Sequence, residues 1–541
     1  MNKIFVNNIG DLAEIQRASF YRFLSTGITE ELANFPNPFI AKIKVPTRTT
    51  KRVLPCFVYL YTHDIKLKGP NYSIDNCLKR DISYTIQLYI PGEYSYSFDP
   101  ILDIRKKEPE KNLKTKKKIN TINQIKSLPS KKIRVKQDIF FGEIPLMTEE
   151  GTFIISGCER IVISQIIRSP GVYFKKEFSK SGKTSYTATI ISNRGLWTKF
   201  ILDTPKSESK AKQPKAEKDR IYMKLNDFKS NSSSSEEKLK KKEKDKSDEH
   251  KLFIFDLLRY LGLNYQEFQD NLFYAHYSKD QQLMRDPRKV SKIVPQWPKV
   301  EIPDLIRKFF FNEKVGHFSI GEIGRYKVNK QLGLNLPKEI TYLTLHDFLG
   351  IIDGLLELKY DNRPSDDIDH IKNKQIRSVG ELLQNTLRVG FYRLQKNLAE
   401  GYSAVSTSQK LNFDLEPSPD PEDWLLDPRP VTIAVKEFFK TSQLSQFMDQ
   451  VNPLAELTHK RRISVFGPNG VQRDHISPVI RDIQPSQYGR LCPIETPEGQ
   501  NAGLIMSLAL FGRVGSLGWI ETPYFVLEKQ KLYCNKQPIF L

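Results

Sequence analysis

The sequence predicts a mixed α+β, multidomain protein, and three local patterns among its 541 residues support that prediction. Residues 82–90 alternate strictly, with apolar or aromatic side chains at the even positions, which is typical of a strand with one buried face. The apolar runs 153–155 and 160–163 flank a Ser-Gly turn and predict a hairpin. Residues 383–398 carry Leu and Phe on one helical stripe, which indicates a packed helix.

The helices are predicted from their ends as well as from their faces. Residues 378–381 read Ser-Val-Gly-Glu, a capping box that starts the first long helix. Its apolar stripe consists of Leu383, Leu387, Phe391, Leu394 and Leu398. A second helix is predicted from Val431 to about Phe439. From Thr441 onward Gly, Pro, Arg, Gln and Asn are dense, which indicates loops, and loops held by a rigid scaffold are where binding functions concentrate.

The basic character of the chain is concentrated in two stretches. The formal net charge is +21, and such an excess usually indicates a polyanionic partner. Residues 101–135 contribute +9 and residues 205–251 contribute +5, so the rest of the chain is only mildly basic. We predict Lys-rich or low-complexity inserts at 104–135, 203–219 and 227–251, because such compositions bury too little apolar area to offset their ordering entropy. Solvated inserts are favoured here over a nucleic-acid-binding tail.

Cysteine spacing and missing motifs argue against several classes of protein. The five cysteines lie far apart with no CxxC or Cys/His pairing, which argues against a structural zinc site and fits a reducing compartment. No apolar run approaches the length of a membrane span. The first residues lack a secretory h-region, and Asp11 and Glu14 are untypical of transit peptides. No phosphate-cradling Gly-rich loop with Lys, HExxH motif or nucleophile elbow occurs.

The densest cluster of hydrogen-bonding side chains lies within residues 442–464. Residues 442–450 hold six amide, hydroxyl or carboxylate side chains beside three apolar ones, and a surface of this kind suits a ligand with many oxygens. Three adjacent cations follow at 460–462 and suit phosphate contacts, which Arg can make in bidentate fashion. An ordinary solvated basic face remains the alternative.

Two turn-rich segments follow this cluster. Residues 467–470 read Gly-Pro-Asn-Gly, a strong turn pattern that projects a loop. Residues 488–503 hold two prolines and three glycines, and they specify one irregular path because Pro fixes φ whereas Gly frees it. Glu495 and Glu498 are either a carboxylate pair for acid–base or metal chemistry or, more commonly in such loops, groups that stiffen the segment.

These segments together resemble the N-terminal half of the bacterial and plastid DNA-directed RNA polymerase β subunit. Residues 442–464 are similar to the fork region of that family, where the rifamycin pocket lies, and 488–504 are similar to the Pro/Gly-rich segment that follows it. Further matches occur in the family's order at 141–154, 160–172 and 366–381. The resemblance extends over about residues 12–524, with gaps at the Lys-rich inserts.

The resemblance implies three structural modules. A protrusion is expected from residues 1–155 and 371–441, with a lobe inserted between them at 156–370 and a fork region at 442–541. In this family the protrusion and lobe form one jaw of the DNA cleft, and the fork lies beside the RNA–DNA hybrid. Contacts from basic loops to backbone phosphates would be independent of base sequence and sensitive to salt.

The resemblance also implies two sets of functional residues. Nucleic-acid contacts are expected from six basic side chains, namely Lys460, Arg461, Arg462, Arg473, Arg168 and Arg490. The rifamycin pocket, whose surface also guides nascent RNA, is expected to be lined by Arg160, Ile163, Gln165, Gln446, Phe447, Asp449, His459, Arg462, Ser464, Arg473, Pro497, Asn501 and Ile505. The chain departs from the family pattern at Val465, Phe466 and Asn469, and Phe466 adds bulk beside the pocket, which bears on drug sensitivity.

No catalytic residue is expected in this chain. In the resembled family an Asp triad of β′ holds the catalytic Mg²⁺, and the acidic pair and phosphate-binding lysines of β lie in its C-terminal half. The sequence ends at Leu541 before those residues, so no cofactor is expected on this chain and Mg²⁺ is expected on other chains. A split β gene, as in some green-algal plastids, or a truncation would explain that end.

The resemblance implies a location and a set of partners. Richness in Lys, Asn, Ile, Phe and Tyr fits an AT-rich organellar genome, so the chloroplast is the expected location, with the bacterial cytoplasm as the alternative. Expected partners are the C-terminal section of β, the β′ and β″ subunits, the α dimer, a sigma factor, template DNA and nascent RNA, but no membrane. The competing hypothesis is a free-standing, non-catalytic nucleic-acid-binding protein derived from a polymerase β subunit.

Overall fold

The chain divides into two compact units. Unit 1 comprises Met1–Ile167 and Ile376–Leu541, and unit 2 comprises Arg168–Gln375. The computed structural model describes residues 11–37, 39–46, 51–98, 131–178, 184–195, 197–203, 220–225, 251–253, 318–360, 363–400, 427–471, 476, 478–524, 527–528, 531–532 and 539–540. The inserts predicted at 104–135, 203–219 and 227–251 lie almost entirely outside these residues.

The described helices are distributed among the strands along the chain. In chain order they are α1 (Glu14–Arg22), α2 (Ile28–Ala33), α3 (Ile74–Lys79), α4 (Gly321–Leu332), α5 (Leu345–Lys359), α6 (Val379–Glu400), α7 (Arg429–Thr441) and α8 (Pro453–Lys460). A π-helical turn joins α1 to α2, and short 3₁₀ turns are found at Ile371–Asn373, Pro478–Arg481, Pro485–Gln487 and Gly499–Asn501.

The strands are more numerous than the helices and mostly short. The first group is β1 (Phe39–Pro46), β2 (Lys51–Leu60), β3 (Lys66–Lys68), β4 (Thr85–Phe98), β5 (Lys131–Pro145), β6 (Phe153–Ile155), β7 (Cys158–Val162) and β8 (Ser164–Arg168). The second is β9 (Gly171–Phe178), β10 (Thr184–Ile191), β11 (Thr198–Asp203), β12 (Arg220–Leu225) and β13 (Lys251–Phe253). The third is β14 (Lys374–Arg377), β15 (Ser445–Phe447), β16 (Arg462–Ser464), β17 (Ile505–Ser507), β18 (Arg513–Val514), β19 (Ile520–Glu521), β20 (Pro523–Tyr524), β21 (Leu527–Glu528), β22 (Lys531–Leu532) and β23 (Ile539–Phe540).

The largest sheet of unit 1 is antiparallel and follows from the alternation at 82–90. Its order is β1-β2-β4-β3, with β5 also paired to β4. Ile86, Leu88 and Ile90 of β4 are at most 4% exposed, as the strict alternation predicts for a strand with one buried face. A register shift between Leu88 and Tyr89 adjusts the long β4–β5 pair.

Helices α1, α2, α6 and α7 cover this sheet and share one core with it. The predicted stripe of α6 lies in that core, since Leu383, Leu387, Phe391 and Leu394 are at most 4% exposed. Each such side chain contributes about 1.5–3 kcal/mol when fully buried. The side chain of Leu398 lies outside the described residues.

The predicted hairpin is formed by β6 and β7. Ile155 lies opposite Cys158, and the two loop residues, Ser156 and Gly157, both have positive φ, 50° and 75°. That geometry is the tight turn whose twist matches paired strands. A Cβ at Gly157 would lie 2.8 Å from the Cα of Asp81, so the close approach of this backbone requires glycine.

Two smaller sheets extend from this hairpin. One has the order β15-β7-β6 and the other the order β14-β8-β16-β17. The loops next to these sheets contain the other predicted turns. Asn469 has φ 58° in the predicted 467–470 turn, where Gly470 N donates to Gly467 O at 3.0 Å. In the Pro/Gly-rich segment Gly489 and Gly503 both have positive φ.

Unit 2 is built on a five-stranded antiparallel sheet with the order β13-β12-β11-β10-β9. Helices α4 and α5 pack on it around a core that includes Phe174, Phe200 and Phe348. A buried ion pair joins the two helices, because Arg325 and Asp347 lie 2.6 Å apart and both are 0% exposed. Arg325 also donates to the carbonyl of Ile340 at 2.7 Å, and Asp347 accepts from the main-chain N–H of Thr344, the N-cap of α5, at 2.7 Å.

The architecture is a mixture of helices and several sheets, as the sequence predicts. The second predicted helix is confirmed as α7, which extends two residues beyond each predicted end. The inserted lobe is predicted at 156–370, and unit 2 comprises residues 168–375. Within the described residues, no helix is both long enough and apolar enough to cross a bilayer.

Candidate functional site

Three segments that are far apart in sequence meet in the smaller sheets of unit 1. Strand β15 pairs with β7 and places Phe447 opposite Arg160. Strand β16 runs parallel to β8, with Ser464 opposite Gln165, and antiparallel to β17, with Ser464 opposite Ile505. Pairing therefore brings together residues from all three segments of the predicted rifamycin pocket.

This site is referred to below as the polar wall and consists of Arg160, Gln446, Phe447, Asp449 and His459. The guanidinium of Arg160 donates to the carbonyl of Phe439 at 2.9 Å and lies 4.1 Å from the centre of the Phe447 ring. The ring itself is 63% exposed. A cation stacked on an exposed aromatic ring offers a flat, partly apolar surface to a planar ligand.

His459 is buried at the centre of the wall and is linked to two of its members. Its Nδ1 accepts from the main-chain N–H of Asp449, and its Nε2 lies 3.2 Å from Oε1 of Gln446. The first bond requires an unprotonated Nδ1, so Nε2 carries the proton and donates to Gln446. Burial lowers the pKa of His459, and the charge of Arg462 lowers it further, which favours this neutral form.

Helix α8 positions His459 through local sequence chemistry. The side chain of Asn452 accepts from the main-chain N–H of Ala455 at 2.7 Å and caps the helix. Pro453 follows as the first helical residue, where the missing N–H has no cost. The helix ends at Lys460, so His459 lies in its last turn.

Three residues predicted to line the pocket are buried in this structure. Ile163, Gln165 and Ser464 are 1%, 0% and 4% exposed, so no ligand touches their side chains without a rearrangement. Gln165 Nε2 donates to the carbonyl of Pro468 at 2.9 Å, and Ser464 Oγ accepts from Phe466 N–H. The predicted role of these three residues in the pocket stays a prediction.

Two members of the basic run 460–462 are held within unit 1, and the predicted role of the run in phosphate binding stays a prediction. Lys460 is only 7% exposed. The guanidinium of Arg461 donates to the carbonyl of Leu12 at 2.9 Å and to that of Ala509 at 2.6 Å. Arg461 therefore uses its hydrogen-bond donors within unit 1, and Arg462, which is half-buried, is the remaining candidate of the three.

The other three predicted nucleic-acid contacts, Arg490, Arg168 and Arg473, lie in different parts of the chain. Arg490 donates to the carbonyls of Ile520 at 3.1 Å and Ser486 at 3.4 Å, so it stiffens the Pro/Gly-rich segment. Arg168 belongs to unit 2, where its charge acts on Tyr173 and Lys374. Arg473 lies outside the described residues.

The late pocket residues lie on a loop closed by Thr496. The hydroxyl of Thr496 donates to the carbonyl of Ile505 at 2.9 Å and accepts from Gly503 N–H at 2.9 Å. Pro497, Asn501 and Ile505 are each half-buried on this loop and strand. The loop therefore holds all three predicted residues partly accessible.

Phe466 is expected beside the rifamycin pocket, but its ring does not line the polar wall. Its ring is 5% exposed and lines a cavity of about 680 Å³ together with Val389, Phe438 and Gln443. No residue predicted for the rifamycin pocket lines that cavity.

Sequence reasoning missed Gln16, which braces the site from helix α1. Gln16 is 0% exposed, and its Nε2 donates to the carbonyls of Val162 and Lys460, each at 3.1 Å. It thereby joins the end of β7 to the end of α8. Gln16 is one of several polar residues between Ile15 and Phe20, so no local pattern in the sequence marks this role.

Acid–base and metal chemistry find little support in the described residues. Glu495 and Glu498 are both exposed on the loop. Across the described ranges, no group of three or more His, Cys, Asp or Glu side chains is placed to hold a metal ion.

Two family models match the chain. The model described as RNA polymerase Rpb2, domain 2, matches residues 168–377, nearly the same span as unit 2. The model described as RNA polymerase Rpb2, domain 3, matches residues 446–514, which contain most of the polar wall.

Curated relatives match almost the whole chain. The DNA-directed RNA polymerase subunit beta of Pyropia yezoensis is 40% identical over 98% of this chain and 44% of its own length. Those of Trichodesmium erythraeum and Synechocystis sp. are 39% and 38% identical over 99% and 100% of the chain, and over 41% and 42% of their own lengths. The chain spans less than half of these relatives and corresponds to their N-terminal part.

Proposed function

The chain belongs to the DNA-directed RNA polymerase β subunits, whose N-terminal part it matches, and we propose that it forms that part of a β subunit in a polymerase that copies DNA into RNA from ribonucleoside triphosphates. The observation that carries this proposal is the match of nearly the entire chain to β subunits at 38–40% identity. The chain is not catalytic alone in this proposal, and Mg²⁺ is held by other chains.

The polar wall is proposed to guide RNA and to bind rifamycins. Support comes from the stacked pair Arg160 and Phe447, and from the fixed amide–imidazole pair Gln446 and His459. Such a surface offers an aromatic face, directed hydrogen bonds and the exposed carboxylate of Asp449. Bases stack on aromatic rings and sugar hydroxyls bond to amides, so an RNA strand suits it chemically.

The two units are proposed to serve as parts of the DNA cleft. Unit 2 would act as the lobe, and the helix-covered sheet of unit 1 as the protrusion, with the segment from 442 as the fork. Proposed partners are the remaining β section, β′ and β″, the α dimer, a sigma factor, DNA and RNA. A plastid location is supported by red-algal and cryptomonad relatives, with a bacterial cytoplasm as the alternative.

Purification of the tagged chain from its own cells tests the proposal. The expected result is co-purification with the remaining β section and β′ chains in a fraction that extends RNA on a DNA template. Recovery of the chain alone, without RNA synthesis, would support the competing hypothesis of a free-standing nucleic-acid-binding protein. Rifamycin added to the active fraction should protect Asp449 and Arg462 from chemical modification, and unchanged modification would contradict the drug-binding part.

A further inference from the structure

An apolar cavity of about 980 Å³ lies on unit 1, on a different set of residues from the polar wall. Leu454 and Thr458 from α8, the segment 483–495 and residues 507–510 line it. Several of its large apolar side chains are strongly exposed: Leu454 67%, Ile483 66%, Tyr488 82% and Leu510 54%. A soluble protein rarely leaves such a cluster uncovered, because contiguous apolar surface usually marks an interface.

Hydrogen bonds hold the segments that form the walls of this cavity. Arg461, at its wall, is bonded to Ala509, and Leu491 N–H donates to the carbonyl of Gln487 at 3.0 Å. Gly489 has φ 72°, and a Cβ there would lie 3.1 Å from Thr522 Oγ1, so the backbone beside Tyr488 is held in one path. A preformed apolar surface binds with little ordering cost.

The charge of the cavity argues against a nucleic acid as its occupant. Its lining contains one basic and one acidic side chain, Arg461 and Glu495, and the basic one is bonded to main-chain carbonyls. A phosphate backbone requires several available cations. Apolar lining with few charges is instead the composition of permanent protein interfaces.

We propose that this cavity is the docking surface for the C-terminal section of the β subunit, and this inference rests on the proposed function. The relatives continue for more than half of their length beyond the part that this chain matches. That section is a permanent companion of the matched part in every one of those relatives, which suits a surface that water should not reach. Transient partners such as sigma factors suit more polar surfaces.

Paired variants test the docking surface in the full-length chain. Leu454→Asp, Ile483→Asp and Leu510→Asp together place three charges in the cavity, and all three positions are more than half exposed, so folding tolerates them. Ile433→Asp is the matched control, because Ile433 is 55% exposed on α7 and does not line the cavity. Each chain is co-expressed with the C-terminal β section from the same organism and recovered by its tag.

The triple variant should recover at least about tenfold less of the C-terminal section than the wild type, whereas Ile433→Asp should recover a normal amount. A second measurement needs no substitution. Cys492 lines the cavity and is half-buried, so the bound section should slow its alkylation, while the exposed Cys158 stays reactive. Mass spectrometry locates the label.

Equal recovery by the triple variant, or unchanged alkylation of Cys492, would overturn the docking surface while leaving the proposed function intact. A wild-type chain that recovers none of the C-terminal section would count against the proposed function itself. Light scattering that shows a dimer of this chain, lost in the triple variant, would assign the cavity to a second copy and overturn the inference.

Discussion

The side-chain amide of Gln16 donates to the main-chain carbonyl of Lys460 at 3.1 Å, and this bond ties the first described helix to the end of the helix that carries His459. A second bond runs the other way, from the guanidinium of Arg461 to the carbonyl of Leu12. The basic run is thus fixed by the N-terminal segment, and the position of His459 depends on both.

Replacing Gln16 by Leu should lower the free energy of unfolding by about 1–3 kcal/mol, because the carbonyls of Val162 and Lys460 then lose a buried donor. Denaturant unfolding of the full chain measures the change. Glu14→Gln, on the exposed face of the same helix, is the control and should be neutral. A Gln16→Leu chain as stable as the wild type would contradict the bracing role.

Arg461 and Arg462 should behave differently when each is replaced by Ala. Arg461→Ala removes bonds to Leu12 and Ala509, so it should destabilise the chain and leave the salt dependence of template binding unchanged. Arg462→Ala should reduce the slope of log affinity against log salt by about 0.7–0.9, the effect of one phosphate contact. Filter binding by the assembled polymerase at several salt concentrations measures both, and equal slopes would refute the distinction.

The stability of unit 1 should fall as the pH is lowered through about 6.5 and below, because of His459. Burial and Arg462 lower its pKa from the ordinary value of 6.5 in the folded chain. Between the folded and unfolded pKa values the unfolded chain therefore binds more protons, and stability rises with pH. The contribution is fully present above the unfolded pKa and is lost as the pH falls towards the folded one.

Denaturant midpoints at pH 7.5 and 5.5 measure this effect against a His459→Gln chain. The variant cannot take up the proton, so its midpoint should change less between the two pH values. A wild-type midpoint that falls no more than that of the variant would show that His459 does not carry the pH dependence.

Replacing Arg325 by Met should destabilise unit 2 by about 3–5 kcal/mol, since Asp347 is then left as an unpaired buried charge. Hydrogen exchange in α4 and α5 of the full chain reports the change locally. The control is Lys330→Ala, at an exposed position of α4. Arg325→Met combined with Asp347→Asn should be less unstable than the sum of the single variants, and strict additivity would argue against a coupled pair.

Phe447→Ala should weaken rifamycin binding to the assembled polymerase by about tenfold or more. The exposed ring is lost together with its contact to Arg160, and aromatic side chains of this kind carry much of the energy of a binding surface. Fluorescence titration with the drug measures the affinity. Leu67→Ala, an exposed apolar residue of β3, should leave it unchanged.

The parts of the fold that the sequence predicts are those decided by local pattern. The alternation at 82–90 became β4, the Ser156-Gly157 turn became a two-residue hairpin, and the stripe of α6 became core. In each case residues within a few positions of each other decide the outcome. Periodicity reports which face is buried, and turn residues report φ.

The site was harder to predict because burial there depends on distant partners. Lys460 and Arg461 form an ordinary cationic run in sequence, and only the folded chain shows that Lys460 is buried and that Arg461 bonds to the carbonyl of Leu12. The resemblance brought the right strands together, yet it could not distinguish exposed residues such as Phe447 from the buried Gln165, since neighbours on a strand alternate between faces.

The bond between Gln16 and Lys460 spans 444 positions. A ribosome that adds about 5–20 residues per second needs roughly 20–90 s to make that stretch. The sheet of unit 2 pairs only strands that are neighbours in sequence, so it can form while synthesis continues. Until then Gln16 lacks the carbonyl of Lys460, and β7 lacks its partner strand β15. The folding of unit 1 can therefore be completed only after synthesis has passed Lys460, so translation speed is expected to affect the yield of folded chain.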